Sequence, residues 1–190
     1  VAMDPNTGSI LALAGVKHDL ETGDISADAL GTITNVFVPG SVVKAATLTA
    51  GWQYGAISGN QSLVDQPILF AGSAPINSWF TAYGSRSITA VEALEYSSNT
   101  YMVQVALNML GTPYSQNMAL GTNNVDASMK KLRSTFAEYG LGTGTGIDLP
   151  TESTGYIPKN FTVSNYITDA FGQFDNYTPL QLAQYASTVA

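Results

Sequence analysis

The sequence predicts a mixed α/β fold of the α+β type, with one short hairpin at the start and helices through most of the rest. Three observations lead there. Asp4-Pro5-Asn6-Thr7-Gly8 has turn composition and lies between two apolar runs, Val1 to Met3 and Ser9 to Ala14. From Ser41 onward apolar residues recur at helical rather than alternating spacing. Helix punctuation then repeats along the chain, as Thr-x-x-(Glu/Gln) boxes at the starts and glycines at the ends.

Taken in order, the hairpin is followed by a polar, Gly- and Asp-rich stretch, Lys17 to Thr34, that reads as a surface loop. A Pro-Gly turn then opens a helix whose first residue is Ser41 and which fades between Gly51 and Gly55. Gln61 to Gly72 and Ile76 to Phe80 are short and strand-like or irregular. Thr89 and Glu92 form a capping box for a short helix through Glu95. After Tyr96-Ser97-Ser98-Asn99-Thr100 comes a helix carrying Met102, Val103, Val105, Ala106, Leu107, Met109 and Leu110, too apolar for a surface position. Gly111 and Pro113 end it. Asn124 can cap the next helix, whose stripe is Met129, Leu132, Phe136 and Tyr139 and whose stop is Gly140. A short helix is expected over Asn165 to Phe171. Thr178, Pro179 and Gln181 then mark the start of the last one.

Composition removes several classes of function. Of the 190 residues, 45% are hydrophobic and 11% charged, which describes a well-filled globule rather than a disordered segment. A net charge of −7 argues against nucleic acid as a partner, because phosphate neutralisation needs clustered Lys and Arg. With no cysteine there is no disulfide, thiolate nucleophile or cysteine-bound zinc. The single histidine, His18, cannot build a histidine metal site, so neither a metal nor a cofactor is expected. The Gly140 to Gly146 run lacks the G-K-[ST] ending of a phosphate loop and is read as a flexible turn.

The stretch that carries chemistry is N-V-F-V-P-G-S-V-V-K-A-A-T-L-T-A, Asn35 to Ala50. Ser41, Lys44 and Thr47 recur at spacing three, on one face of an otherwise apolar helix. A serine hydroxyl is a poor nucleophile until a base stands within hydrogen-bond reach. Lysine becomes that base when burial and a helix N-terminus disfavour its ammonium form. Free N–H groups at the same terminus can stabilise an oxyanion. Spacing alone does not decide this, since Ser128 and Lys131 repeat it inside an amphipathic helix. A second pattern, Ser97-Ser98-Asn99, sits between a capped helix and a buried one, where a hydroxyl and an amide would be held rigidly.

P-G-S-V-V-K followed by Y-S-S-N resembles the transpeptidase domain of the class B penicillin-binding proteins. D-P-N-T-G-S-I-L-A-L-A, G-x-G-x-x-x-G-I-D-L-P and G-Q-F-D-N-Y-T-P-L-Q-L-A-Q-Y agree in the same order, so the resemblance spans the chain. It implies Ser41 as the acyl-accepting nucleophile, Lys44 as its proton acceptor, Ser97 as a proton relay and Asn99 as a substrate-binding amide. Trp79 and Thr100 are further candidates for substrate binding. The implied reaction is D,D-transpeptidation of peptidoglycan stem peptides ending in D-Ala-D-Ala, with β-lactams acylating the same serine. The implied setting is extracytoplasmic and membrane-anchored, beside a cell-wall glycosyltransferase and the elongation machinery. A β-lactam-sensing receptor domain and a serine β-lactamase share the serine and lysine; a class A β-lactamase would also need a deacylating base, for which Glu138 and Glu152 are candidates by residue type only.

The family's third motif, Lys-(Thr/Ser)-Gly, is missing. No lysine here precedes Thr-Gly or Ser-Gly. Residues 1–190 are therefore read as part of a transpeptidase domain, a truncated fold that keeps the N-terminal hairpin and mostly helical region but lacks the C-terminal sheet strands. Such a piece is expected neither to acylate efficiently nor to fold robustly alone.

Overall fold

A computed structural model describes residues 1–190, which divide into two compact units. The first comprises Val1–Pro39, Ala137–Ile157 and Asp175–Ala190; the second comprises Gly40–Phe136 and Pro158–Phe174. Helices and small antiparallel ribbons make up both, as the α+β expectation required. No helix is long and apolar enough to cross a membrane.

In the first unit, β1 (Ala2–Met3) pairs with β2 (Ile10–Ala12) across the expected turn. Asp4 builds that turn by accepting from the Asn6 N–H at 2.9 Å. The predicted loop after it is in fact a second hairpin, β3 (Val16–His18) against β4 (Ile25–Ala27). Asp19 closes its tip by accepting from the Glu21 and Thr22 N–H groups. Both strands are fully exposed, so the sequence carries no buried-face alternation to announce them. A short helix follows, α1 (Gly31–Thr34).

Seven further α-helices and strands lie wholly or mostly in the second unit. A 3₁₀ turn over Gly40–Val43 leads into α2 (Lys44–Gln53), so the α-helix begins at Lys44 rather than at Ser41. β5 (Ser62–Asp65) pairs antiparallel with β6 (Arg86–Thr89), setting Asp65 opposite Arg86. Thr89 ends β6 and caps α3 (Ala90–Glu95) through the expected box with Glu92. Ser98 caps α4 (Asn99–Leu110), and Gly111 ends it in the left-handed conformation. α4 is the central element: residues 100–107 are all buried. Gly51 of α2 lets it approach closely, because a Cβ there would meet the Val105 side chain at 2.7 Å.

α5 (Val125–Glu138) buries Met129, Leu132 and Phe136 as its stripe predicts. Its Asn124 does not cap through the side chain; it takes a positive φ of 63° and offers its carbonyl to the Ser128 N–H. Ser128 is buried and donates to the Met109 carbonyl at 3.2 Å, while Lys131 lies over the Tyr54 ring. The second Ser-x-x-Lys is thereby accounted for by packing. α6 (Val163–Asp169) starts two residues earlier than expected, on a Thr162–Asn165 box. In the first unit, α7 (Pro179–Val189) carries the predicted Thr178 cap, Pro179 and Gln181.

Candidate active site

Lys44 meets the Ser97–Asn99 segment. Its side chain is 2% exposed, and its Nζ donates to the Ser97 carbonyl at 2.7 Å, to Ser97 Oγ at 3.0 Å and to Asn99 Oδ1 at 2.7 Å. Ser41, Lys44, Ser97 and Asn99 thus fall within one unit, and three of the four are directly bonded. The Ser41 side chain is exposed, on the 3₁₀ turn that precedes Lys44. Its hydroxyl makes no bond to Lys44, whose contacts all go to the second motif.

Burial is the main influence on this amine. It lowers the Lys44 pKa from 10.5 to about 8, with the negative charge of Asp65 opposing the shift. At pH 7 that leaves roughly one lysine in ten neutral, against about one in three thousand for a solvated side chain. The partners also suit a neutral amine. The Ser97 carbonyl and Asn99 Oδ1 can only accept, so they take its two N–H groups. The lone pair then faces the third partner, Ser97 Oγ, whose hydroxyl can donate to it.

The second motif is held in place by its backbone. Ser97 adopts a positive φ of 54°, which is unfavourable for a residue with a Cβ. The kink turns both its carbonyl and its hydroxyl toward Lys44, and Ser98, next along, starts α4. Asn99 is the first residue of α4, and its Nδ2 donates to the Asn77 carbonyl at 3.2 Å.

Trp79 is 69% exposed and borders two clefts, of about 380 and 300 Å³. Its indole N–H donates to the Tyr96 carbonyl at 2.7 Å, immediately before Ser97. Thr100 is fully buried, its hydroxyl 3.4 Å from that of Ser78, so it stands behind Asn99 rather than on an open surface. Glu152 is engaged by the Thr145 N–H and hydroxyl within the first unit.

Two residues at the site have roles that the sequence pattern does not announce. Asp65, 1% exposed, accepts from Ser78 Oγ at 2.8 Å and Ser98 Oγ at 2.5 Å. Gly172 lies against the turn that bears Ser41: its carbonyl accepts from the Gly40 N–H at 2.9 Å, and any Cβ on it would collide with the Gly40 backbone. Both partners are more than twelve positions away, so only the folded chain brings them together.

A family model for the penicillin-binding protein transpeptidase domain matches residues 1–190. The chain belongs to that family. Penicillin-binding protein 2B of Streptococcus pneumoniae strain D39 is 66% identical over 191 residues, which is 100% of this chain and 28% of that protein. The structure of penicillin-binding protein 2B from S. pneumoniae strain R6 superposes with a TM-score of 0.96 at 66% identity, covering 98% of this chain and 30% of that one. Peptidoglycan D,D-transpeptidase FtsI of Escherichia coli strain K12 is 30% identical over 195 residues, again 100% of this chain and 29% of that protein. The chain therefore spans under a third of the length of these relatives.

Proposed function

We propose that the chain is part of a peptidoglycan D,D-transpeptidase of the serine type, working through an acyl-enzyme that β-lactams also form. The observation that supports this best is the buried Lys44 amine, shared among the Ser97 carbonyl, Ser97 Oγ and Asn99 Oδ1. Lys44 accepts the Ser41 proton as Ser41 Oγ attacks the carbonyl carbon of the penultimate D-Ala. The Ser41 N–H, in the 3₁₀ turn, faces the developing oxyanion. The proton passes through Ser97 to the nitrogen of the terminal D-Ala, which leaves as the free amino acid. An amine from a neighbouring strand then attacks the ester, returning the proton to Ser41 and completing the cross-link.

Asn99 has a second amide N–H besides the one given to Asn77, and that donor suits a substrate peptide carbonyl. Trp79 offers an exposed ring at the edge of the same wall. In this reading residues 1–190 form one part of the transpeptidase domain, and a Lys-(Thr/Ser)-Gly strand outside them completes the carboxylate site. The 190 residues alone are then inactive. The complete protein is membrane-anchored and extracytoplasmic, and it works with a cell-wall glycosyltransferase.

The test is covalent labelling of the full-length protein with a fluorescent penicillin. Wild type is expected to label one-to-one and Ser41→Ala not at all; labelling that persists in Ser41→Ala refutes the nucleophile. An adduct that lasts hours, with D-Ala released from a stem-peptide mimic, distinguishes a transpeptidase from a β-lactamase and from a sensor.

A further inference from the structure

We propose that Asp65 is a positioning residue for acylation, its buried carboxylate orienting Ser78 and Ser98 beneath the second motif and supplying the negative charge that Lys44 experiences. The inference rests on the reading of Ser41 as nucleophile and Lys44 as proton acceptor.

The direction of the hydrogen bonds makes the case. Each serine hydroxyl has one proton to give, and a carboxylate can only accept. Ser78 and Ser98 both give theirs to Asp65 Oδ2, at 2.8 and 2.5 Å. Their lone pairs are thereby turned to the start of α4. Ser98 Oγ accepts from the Tyr101 N–H at 2.9 Å, and Ser78 Oγ accepts from the Asn99 and Thr100 N–H groups at 3.1 and 3.3 Å. One carboxylate therefore fixes two hydroxyls as acceptors for the first three N–H groups of the helix that presents Asn99. A negative charge in that position also complements the helix N-terminus.

The charge has a second target. Asp65 Oδ1 is buried and has no hydrogen-bond partner, so the carboxylate is only partly neutralised by its neighbours. Lys44 bonds Ser97 and Asn99 rather than Asp65, which leaves the two buried charges to interact through space. Of the other charged and titratable groups, Arg86 faces Asp65 across the ribbon but lays its guanidinium over the Phe80 and Tyr96 rings. Glu92 is occupied by Thr89, and Tyr101 donates to the Gln61 carbonyl. Asp169 on α6 is the other buried carboxylate of this unit.

Asp65→Asn separates the two roles from simple folding. The amide oxygen can keep both serine bonds, and its NH₂ takes the place of the unpartnered Oδ1. The rate of fluorescent-penicillin acylation of the full-length protein is measured from about pH 6 to 10, with Ser41→Ala as the control. In wild type the rate rises as Lys44 loses its proton. Without the opposing charge the amine deprotonates more easily, so the midpoint for Asp65→Asn is expected to move down by roughly one pH unit. The plateau is expected to fall by about threefold or more, because a weaker base accepts the proton less well. An unchanged midpoint overturns the proposal. If Asp65→Asn does not fold, Asp65→Glu decides instead: a lower plateau with the wild-type midpoint supports the account, and a displaced midpoint with the charge retained overturns it. Labelling that survives Ser41→Ala is a different failure, since it removes the nucleophile on which both readings stand.

Discussion

The wall around Lys44 and the two N-terminal hairpins are built from similar short segments, yet they treat polarity in opposite ways. At the wall, Lys44, Asp65, Ser78, Ser98 and Thr100 are buried, and their hydrogen bonds tie one side chain to the next. In the hairpins, Leu11, Val16 and Ile25 are 69%, 75% and 71% exposed, apolar groups facing water on ribbons of two strands. Two-stranded ribbons are marginal by themselves and gain stability from a covered face. The difference teaches where this chain spends free energy: it buries polar groups at the wall and leaves apolar groups in water on the hairpins. Buried polar groups are expensive unless paired, which makes a paired cluster under two motifs the candidate site of the proposed function.

The strongest way to break that comparison is at the wall itself. Lys44→Met in the full-length protein is expected to slow penicillin acylation by about 10²- to 10⁴-fold, the usual contribution of a positioned acid–base group. Ser128→Ala, at the second copy of the motif, is expected to leave the labelling rate unchanged. Equal losses in the two would show that the motif, rather than its burial beside Ser97, is what matters.

Gly172→Ala comes next in size. The added methyl collides with the Gly40 backbone, so the loop or the Ser41 turn must shift. A loss of about 1–3 kcal/mol in thermal stability is expected, with a slower labelling rate. Wild-type behaviour in both assays would mean that the turn is more compliant than its glycines suggest. Thr89→Ala removes the hydroxyl that caps α3, while the backbone N–H of residue 89 can still donate to the Glu92 carboxylate. Its cost is expected to be about 1 kcal/mol by thermal denaturation, with labelling little changed.

The hairpins should respond least. Leu11→Ser and Ile25→Thr are expected to change the thermal stability of the full-length protein by no more than about 0.5 kcal/mol, and a clearly larger loss would identify a hairpin face that another segment covers.

Local signals were legible in the sequence wherever one side chain serves its own backbone. The Thr89 and Thr178 boxes, the Gly111 stop and the apolar run of α4 all follow from neighbours a few residues apart. Ser41, Lys44, Ser97 and Asn99 could be named because their pattern matched a family, and the structure gathers them in one unit. What stayed hidden depends on distant chain. Strands β3 and β4 bury no face, and β6 is visible only beside β5. The α-helix starts at Lys44 because a 3₁₀ turn precedes it, a distinction that apolar spacing does not encode. Asp65 in S-L-V-D looks like an ordinary strand end until Ser78 and Ser98 close over it. Gly172 reads as a loop glycine until its neighbour proves to be Gly40.

The most direct test of the account is to titrate the Lys44 amine by NMR, using lysine isotopically labelled at the side chain in the full-length protein carrying Ser41→Ala. Burial among Ser97, Asn99 and apolar side chains predicts a midpoint of about 8. A midpoint at the ordinary lysine value of 10.5 would mean that the amine is solvated, and it would contradict Lys44 as the base that activates Ser41.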